Sequence, residues 1–366
     1  MATDVVLWIV VATALAFDFT NGFHDTANAV ATSISTRAMA PRVAVALAAV
    51  LNFVGAFLSL AVAATIASGI VDAGLVTLDI VFAGLIGAIA WNLATWYFGL
   101  PSSSSHALIG GVVGAAFAAE GPKAVYGDGL IEKVMIPALV APVLALVTTG
   151  IAILFCYRIV GRQKPGTVTR GFRLGQIVTG SLFSLSHGTN DAQKTMGIIA
   201  LALVASGHLE SGADPPTWVV VSAATAIALG TYVGGWRIIR TMGSRIIKMD
   251  PAQGFAAQGV GSAVILSASH VGFPLSTTHV ISGAIMGAGA AKRISAVRWG
   301  VAGNIVTAWV LTTPAAAIVG AATYGVVQLF GDGAAGPVIV SGALLAALAV
   351  VFARRLAGGR TLTAEG

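Results

Sequence analysis

The sequence predicts an all-α polytopic membrane protein, an inverted-topology repeat with two broken helices and two re-entrant helical hairpins. Three observations carry that prediction. The 366 residues are 57% hydrophobic and only 9% charged, against roughly 25% charged in a soluble domain, and the mean hydropathy is +0.90. Arginine and lysine fall in short clusters separated by apolar runs, with acidic segments between them. Two polar motifs recur far apart in the chain, each inside an apolar run.

The basic clusters are Arg37 and Arg42; Arg158, Arg162, Lys164, Arg170 and Arg173; Arg237, Arg240, Arg245 and Lys248; Lys292, Arg293 and Arg298; Arg354, Arg355 and Arg360. The acidic segments hold Asp72 and Asp79; Glu120 and Glu132, with Lys123; Glu210 and Asp214; and Asp332. Positively charged loops stay in the cytoplasm, so these residues are topogenic anchors. The net charge of +6 is spread over loops divided by membrane, which excludes a nucleic-acid face. Cys156 is the only cysteine, which excludes an internal disulfide.

The first repeat covers 1–157. It begins outside with Asp4, and no basic residue precedes its first apolar run, so no cleaved signal peptide is expected. A broken helix over 5–36 runs inward to Arg37, and 43–66 returns with Asn52 buried in it. A hairpin over 80–119 follows, broken at Pro101-Ser102-Ser103-Ser104-Ser105-His106. Its flanks are both acidic and its break holds no basic anchor, so it dips in from outside and turns within the bilayer. Such backbone is tolerated at that depth only where protein covers it or it lines a cavity. The segment 134–157 then crosses inward to a cytoplasmic basic loop at 158–173.

The second repeat covers 174–353. A broken helix over 174–206 crosses outward, 218–236 crosses inward, and a hairpin over 254–291 breaks at Pro274-Leu275-Ser276-Thr277-Thr278-His279. Its flanks are basic, so it enters from the cytoplasm. The segments 299–327 and 337–352 finish the membrane part, and 354–366 is a cytoplasmic tail. Gly110 and Gly114 match Gly283 and Gly287 when the hairpins are superposed. The halves therefore begin on opposite sides of the membrane, a common transporter design.

The candidate site residues follow from depth. Ionisable groups inside membrane helices mark substrate or ion pathways. The first broken helix carries Asp18, Asn21, His24, Asp25 and Asn28, and the second carries His187, Asn190, Asp191 and Lys194 at matching places. Each hairpin break offers hydroxyls just after a proline at a helix start, where free N–H groups and the helix dipole favour anions. Ser103, Ser104 and Ser105, with Ser276, Thr277 and Thr278, can surround a tetrahedral oxyanion, though a hydroxyl there also caps its own helix. Asp25 and Asp191 would repel that anion and suit a proton or cation, with Na+ as the candidate ion. A buried Asp capping a half-helix is compatible with that role. Coupling follows, because the anion cannot dwell near uncompensated carboxylates at low dielectric. Lys194 either occupies space that a cation would take, leaving coupling to protons, or forms an inert pair with Asp25 or Asp191. His24, His106, His187 and His279 are candidates to relay protons or donate to the anion. Their spacing does not match a zinc motif. Asn52, Asn92 and Asn304 read as interhelical hydrogen-bond partners.

The stretches Asn21-Gly-Phe-His-Asp-Thr-Ala-Asn28 and Ser186-His-Gly-Thr-Asn-Asp-Ala-Gln-Lys194, the two Pro-hydroxyl-His breaks and Asp250-Pro-Ala-Gln-Gly254 together resemble the inorganic phosphate transporter (PiT) family over almost the whole chain. The resemblance implies cation-coupled uptake of inorganic phosphate by an inverted-repeat core that forms a homodimer. It also implies phosphate contacts at the hairpin hydroxyls and cation ligands at Asp25, Asn28 and Asp191, with Asn21 and Asn190 alongside. No cofactor is implied beyond co-transported H+ or Na+. Many sodium-coupled members have Asn-Asp where this chain has His24-Asp25, and Asn in place of Lys194. The His and Lys pattern is more similar to the bacterial low-affinity branch, which resembles proton-coupled carriers of phosphate with a divalent metal. A sulfate carrier, an intramembrane hydrolase using Asp and His, and a channel are the rival readings.

Overall fold

A computed structural model describes residues 2–331 and 333–358. Asp332 and the tail beyond 358, including Arg360, lie outside the described residues. The chain is almost wholly helical, and no β-strand occurs among the described residues. Among the described residues, four helices are long and apolar enough to cross a membrane, or five if one bent pair counts as a span.

In the first half, α1 (Ala2–Ser35) is followed by α2 (Pro41–Gly55), which starts on Pro41. After a turn at 56–60 the chain resumes as α3 (Ala61–Ser68). The hairpin comprises α4 (Leu78–Phe98), capped by Thr77, and α5 (Ser104–Glu120), capped by Ser103. Between them Gly99 has φ 66°, a left-handed C-cap that a residue with Cβ disfavours. A short α6 (Gly127–Leu130) passes through a π turn into α7 (Ile136–Val160).

The second half repeats this order. It runs α8 (Pro165–Ala205), α9 (Thr217–Val233) and α10 (Trp236–Arg240), with a 60° bend between the last two. Then come α11 (Pro251–His270), with a capping box of Asp250 and Gln253, and α12 (Thr277–Lys292), capped by Ser276. Finally α13 (Trp299–Gln328) and α14 (Ala335–Gly358) close the chain.

Three expectations are corrected. Neither α1 nor α8 is broken: each stays helical through its polar stretch. The reason is visible at Gly22 and Gly188, where a Cβ would lie 2.4 Å from the Ile227 carbonyl and 2.1 Å from the Asn52 carbonyl. These glycines admit a neighbouring helix; they do not interrupt their own. The basic loop at 158–173 shrinks to 161–164, because Pro165 starts α8 and proline is favoured in a first helical turn. The single crossings expected over 43–66 and 218–236 are both divided, at 56–60 and at Gly234-Gly235. A helix pair flanks each expected break, α4 and α5 around Pro101 and α11 and α12 around Pro274.

The halves interlock crosswise. Helix α13 packs along the first hairpin and α7 along the second, while α1 packs on α9 and α2 on α8. A Cβ on Gly110 or Gly114 would sit 2.5 or 2.2 Å from a carbonyl of α13. On Gly283 or Gly287 it would sit 2.3 or 2.0 Å from a carbonyl of α7. Backbones that approach so closely require glycine, the usual device of helix packing in lipid.

Candidate functional site

Helical spacing builds the centre. On α1, Asn21, Asp25 and Asn28 fall at i, i+4 and i+7, and on α8 His187, Asp191 and Lys194 do the same, so each triplet shares one face. The tips of both hairpins arrive between these faces. Every predicted site residue is buried, none more than 4% exposed.

Lys194 is the hub. Its ammonium donates to Asp191 Oδ1, to Ser105 Oγ on the first tip and to the Leu275 carbonyl on the second, the last at 2.8 Å. All three of its N–H donors are thereby used. Asn190 Nδ2 donates to Asp191 Oδ1 at 2.7 Å and to the Leu275 carbonyl at 2.8 Å. Thr277 Oγ1 donates to Asp191 Oδ2 at 3.2 Å, and Thr278 Oγ1 to Asp25 Oδ1 at 3.3 Å. Asn28 Nδ2 donates to both threonine hydroxyls, at 3.2 and 2.8 Å. Each tip is thus tied to a carboxylate or to the ammonium that pairs with one.

Asp25 Oδ1 lies 2.7 Å from His24 Nδ1, whose Nε2 is 3.0 Å from Thr95 Oγ1 and 3.3 Å from Ser102 Oγ. His187 Nε2 lies 3.1 Å from Asp191 Oδ2, out of hydrogen-bond alignment. Its Nδ1 is 3.2 Å from Asn52 Oδ1. Asp25, His187 and Asp191 each present one ligand atom, all within 4.8 Å of one another. Two carboxylates and an imidazole, with threonine hydroxyls beside them, fit a cation. Two carboxylates and one ammonium are buried together there, with an imidazole beside each carboxylate.

The hydroxyls divide by role. Ser103 Oγ accepts from the His106 amide at 3.1 Å and Ser276 Oγ from the His279 amide at 3.3 Å, so both serve as N-caps. Ser105 is engaged by Lys194 and also donates to the Leu275 carbonyl at 3.3 Å. Ser104 Oγ is buried with no hydrogen-bond partner, so it is free to serve a ligand. His106 and His279 face each other, ring centroids 4.8 Å apart, and His279 stacks on Trp309 at 4.1 Å. The structure gives them no contact with the carboxylate cluster. Asp18 is fully buried, and neither of its oxygens closes a hydrogen bond, although Asn21 and Thr195 lie beside it. Of the three asparagines read as interhelical partners, Asn52 donates to Thr231 at 2.8 Å, Asn92 is buried without a partner, and Asn304 is exposed.

Several members of the site escaped the sequence reading. Thr95 and Ser102 orient His24, and Ser269 donates to Asn190 Oδ1 at 3.3 Å. The Leu275 carbonyl accepts from Ser105, Asn190 and Lys194 together.

Comparison with known proteins places the chain in a family. The model of the phosphate transporter family matches residues 21–320. A Mycobacterium tuberculosis protein titled "Probable low-affinity inorganic phosphate transporter" is 58% identical over 326 residues, covering 89% of this chain and 78% of that protein. A Bacillus subtilis protein with the same title is 47% identical over 325 residues, covering 88% and 97%. A solved structure titled "The sodium-dependent phosphate transporter" superposes with a TM-score of 0.80 at 26% identity, covering 88% of this chain and 99% of that one.

Proposed function

The chain belongs to the phosphate transporter family, a membrane transporter and not an enzyme, and on that premise we propose cation-coupled symport of inorganic phosphate. One observation carries the reading: two hydroxyl-bearing helix starts from different halves meet at a single buried cluster holding Asp25, Asp191 and Lys194. In this reading Ser104, Ser105, Thr277 and Thr278 donate to the phosphate oxygens, and Lys194 supplies a fixed positive charge. The anion's charge adds to that of Asp25 and Asp191. Stable occupancy at low dielectric therefore waits for a countercharge, a proton or Na+ held at Asp25 and Asp191. Loaded and empty forms are then the two that pass between faces, which is symport by alternating access.

The same reading takes the halves as oppositely oriented repeats, with the N-terminus outside, the C-terminus cytoplasmic and phosphate moving inward across the cell membrane. Two such chains form a homodimer. A second cargo is favoured by a specific observation. The Asp25, His187 and Asp191 atoms gathered within 4.8 Å match the donors of a divalent ion, so a neutral metal–phosphate complex would meet its metal and its anion sites side by side. Sulfate is the rival tetrahedral anion.

The test is labelled phosphate uptake into proteoliposomes, with sodium and proton gradients imposed separately, magnesium present or absent, and sulfate as competitor. We expect uphill phosphate accumulation under one of the two gradients and little inhibition by sulfate. Accumulation without a cation gradient, or equal transport of sulfate, would overturn the reading.

A further inference from the structure

The two halves differ when their sequences are set in register. Below Asn28, Thr32 lies on the same face of α1, at i+4, and Thr36 follows just past the end of the helix. Around them stand Ser33, Gln176 of α8 and Gln258 of α11, all of them buried. In the register that pairs Asn28 with Lys194 and Pro101 with Pro274, these places in the other half hold Ile198, Ala202, Ile199, Val10 and Leu85. Those five belong to one closed apolar core. One half of the membrane path is therefore lined by neutral hydrogen-bonding groups, and the other is sealed with hydrocarbon.

Polar side chains in such numbers are costly at membrane depth without a purpose. Several are paired: Thr36 Oγ1 donates to Gln176 Oε1 at 2.6 Å, Ser33 Oγ to Gln258 Oε1 at 3.2 Å, and Gln258 Nε2 to the Ala29 carbonyl at 2.8 Å. Others are not. Asn28 Oδ1, Thr32 Oγ1 and Gln176 Nε2 are buried with no partner. At the far end, half-buried Arg173 donates through Nε to the Thr36 carbonyl at 3.1 Å. No carboxylate interrupts the series, so an anion moving along it meets donors and no like charge.

We propose that this seam between α1, α8 and α11 is the route by which the tetrahedral oxyanion passes between the central site and the basic end of the protein. Thr32 and Gln176 form a transit site, and Arg173 stands at its mouth. The anion would leave the threonine hydroxyls bound by Asn28, take donors from Thr32 Oγ1 and Gln176 Nε2, and reach Arg173. The proposal rests on the transport reading above.

The test uses the full chain with Cys156→Ser, into which Thr32→Cys, Gln176→Cys or, for comparison, Ile198→Cys is introduced. A charged, membrane-impermeant thiol reagent is applied to one side at a time in sealed, oriented vesicles. Cysteines at 32 and 176 should be labelled from the side bearing the basic loops and not from the other. Phosphate at ten times its Kd should slow that labelling about tenfold. Cysteine at 198 should resist the reagent from the basic side. In addition, Thr32→Val, which keeps shape and loses the hydroxyl, should lower the maximal uptake rate about tenfold for a lost hydrogen bond of about 1.4 kcal/mol, with the affinity for phosphate unchanged. No labelling at either position in vesicles that transport, or faster labelling from the acidic side, would overturn the route. Uptake by the Cys156→Ser parent reports separately on transport itself. If it is absent while sided, phosphate-protected labelling persists, the symport reading falls and the binding route stands.

Discussion

Lys194 shows how much one residue can settle. Its three donors are spent on Asp191, Ser105 and the Leu275 carbonyl, the oxygens a bound monovalent cation would also seek. Replacing it with asparagine removes the charge and leaves that space open. We expect Lys194→Asn to gain stimulation of phosphate uptake by sodium relative to the parent, and unchanged cation dependence would exclude the idea that the ammonium stands in for an ion. Ser103 and Ser104 separate capping from binding in the same turn. Ser103→Ala should cost about 1 kcal/mol as a lost cap, seen as a lower unfolding midpoint with phosphate KM unchanged. Ser104→Ala should leave the midpoint in place and raise KM about tenfold, the cost of one hydrogen bond to a charged ligand. At this scale the sequence was informative wherever a side chain was out of place in hydrocarbon: Asp25, Asp191 and Lys194 stand out for that reason. Leu275 did not, because its contribution is a main-chain oxygen that leaves no mark on residue type. Thr95 was hidden among ordinary helix hydroxyls, which in lipid bond mostly to their own backbone, and Ser102 among the serines of the first break.

Among elements, the hairpins were legible and the long helices were misjudged, and glycine explains both. Pro101 and Pro274 cannot continue a helix, and the hydroxyls after them mark new N-caps, so each hairpin announces itself. The polar stretches of α1 and α8 lower hydropathy without lowering helicity. Gly22 and Gly188 looked like interruptions but serve close contact with α9 and α2. The polar content also keeps α8 out of the set of evidently membrane-spanning helices. The close-contact role predicts a graded result. Gly114→Ala and Gly287→Ala place a methyl group 2.2 and 2.0 Å from a facing carbonyl, which should cost about 1–3 kcal/mol as overpacking. Gly300→Ala, with nothing within 4 Å, should be neutral or stabilising by up to about 1 kcal/mol. Thermal unfolding in detergent gives the ranking, and equal midpoints for all three would refute it.

At the level of the molecule, the two tips share one hydrogen-bonded cluster though they lie far apart in sequence. Ligand binding should therefore order them together. Phosphate added to the purified protein should slow amide exchange over both 99–106 and 272–279, and protection confined to one tip would contradict a shared site. The alternation of basic and acidic loops carried the polytopic architecture in sequence, because charge is tolerated only where the chain leaves the bilayer. Which half braces which hairpin was not legible, since every lipid-facing helix here is similarly apolar.

That bracing bears on how the protein is made. The first hairpin rests against α13 and the second against α7, so the earlier hairpin leaves the ribosome long before its support exists. Its glycine groove and serine-capped turn must wait in the insertion machinery until almost the entire polypeptide has been threaded. A ribosome that stops after α12 would release a chain whose first hairpin has nothing behind it, and cellular quality control would meet that intermediate before any transport cycle could begin.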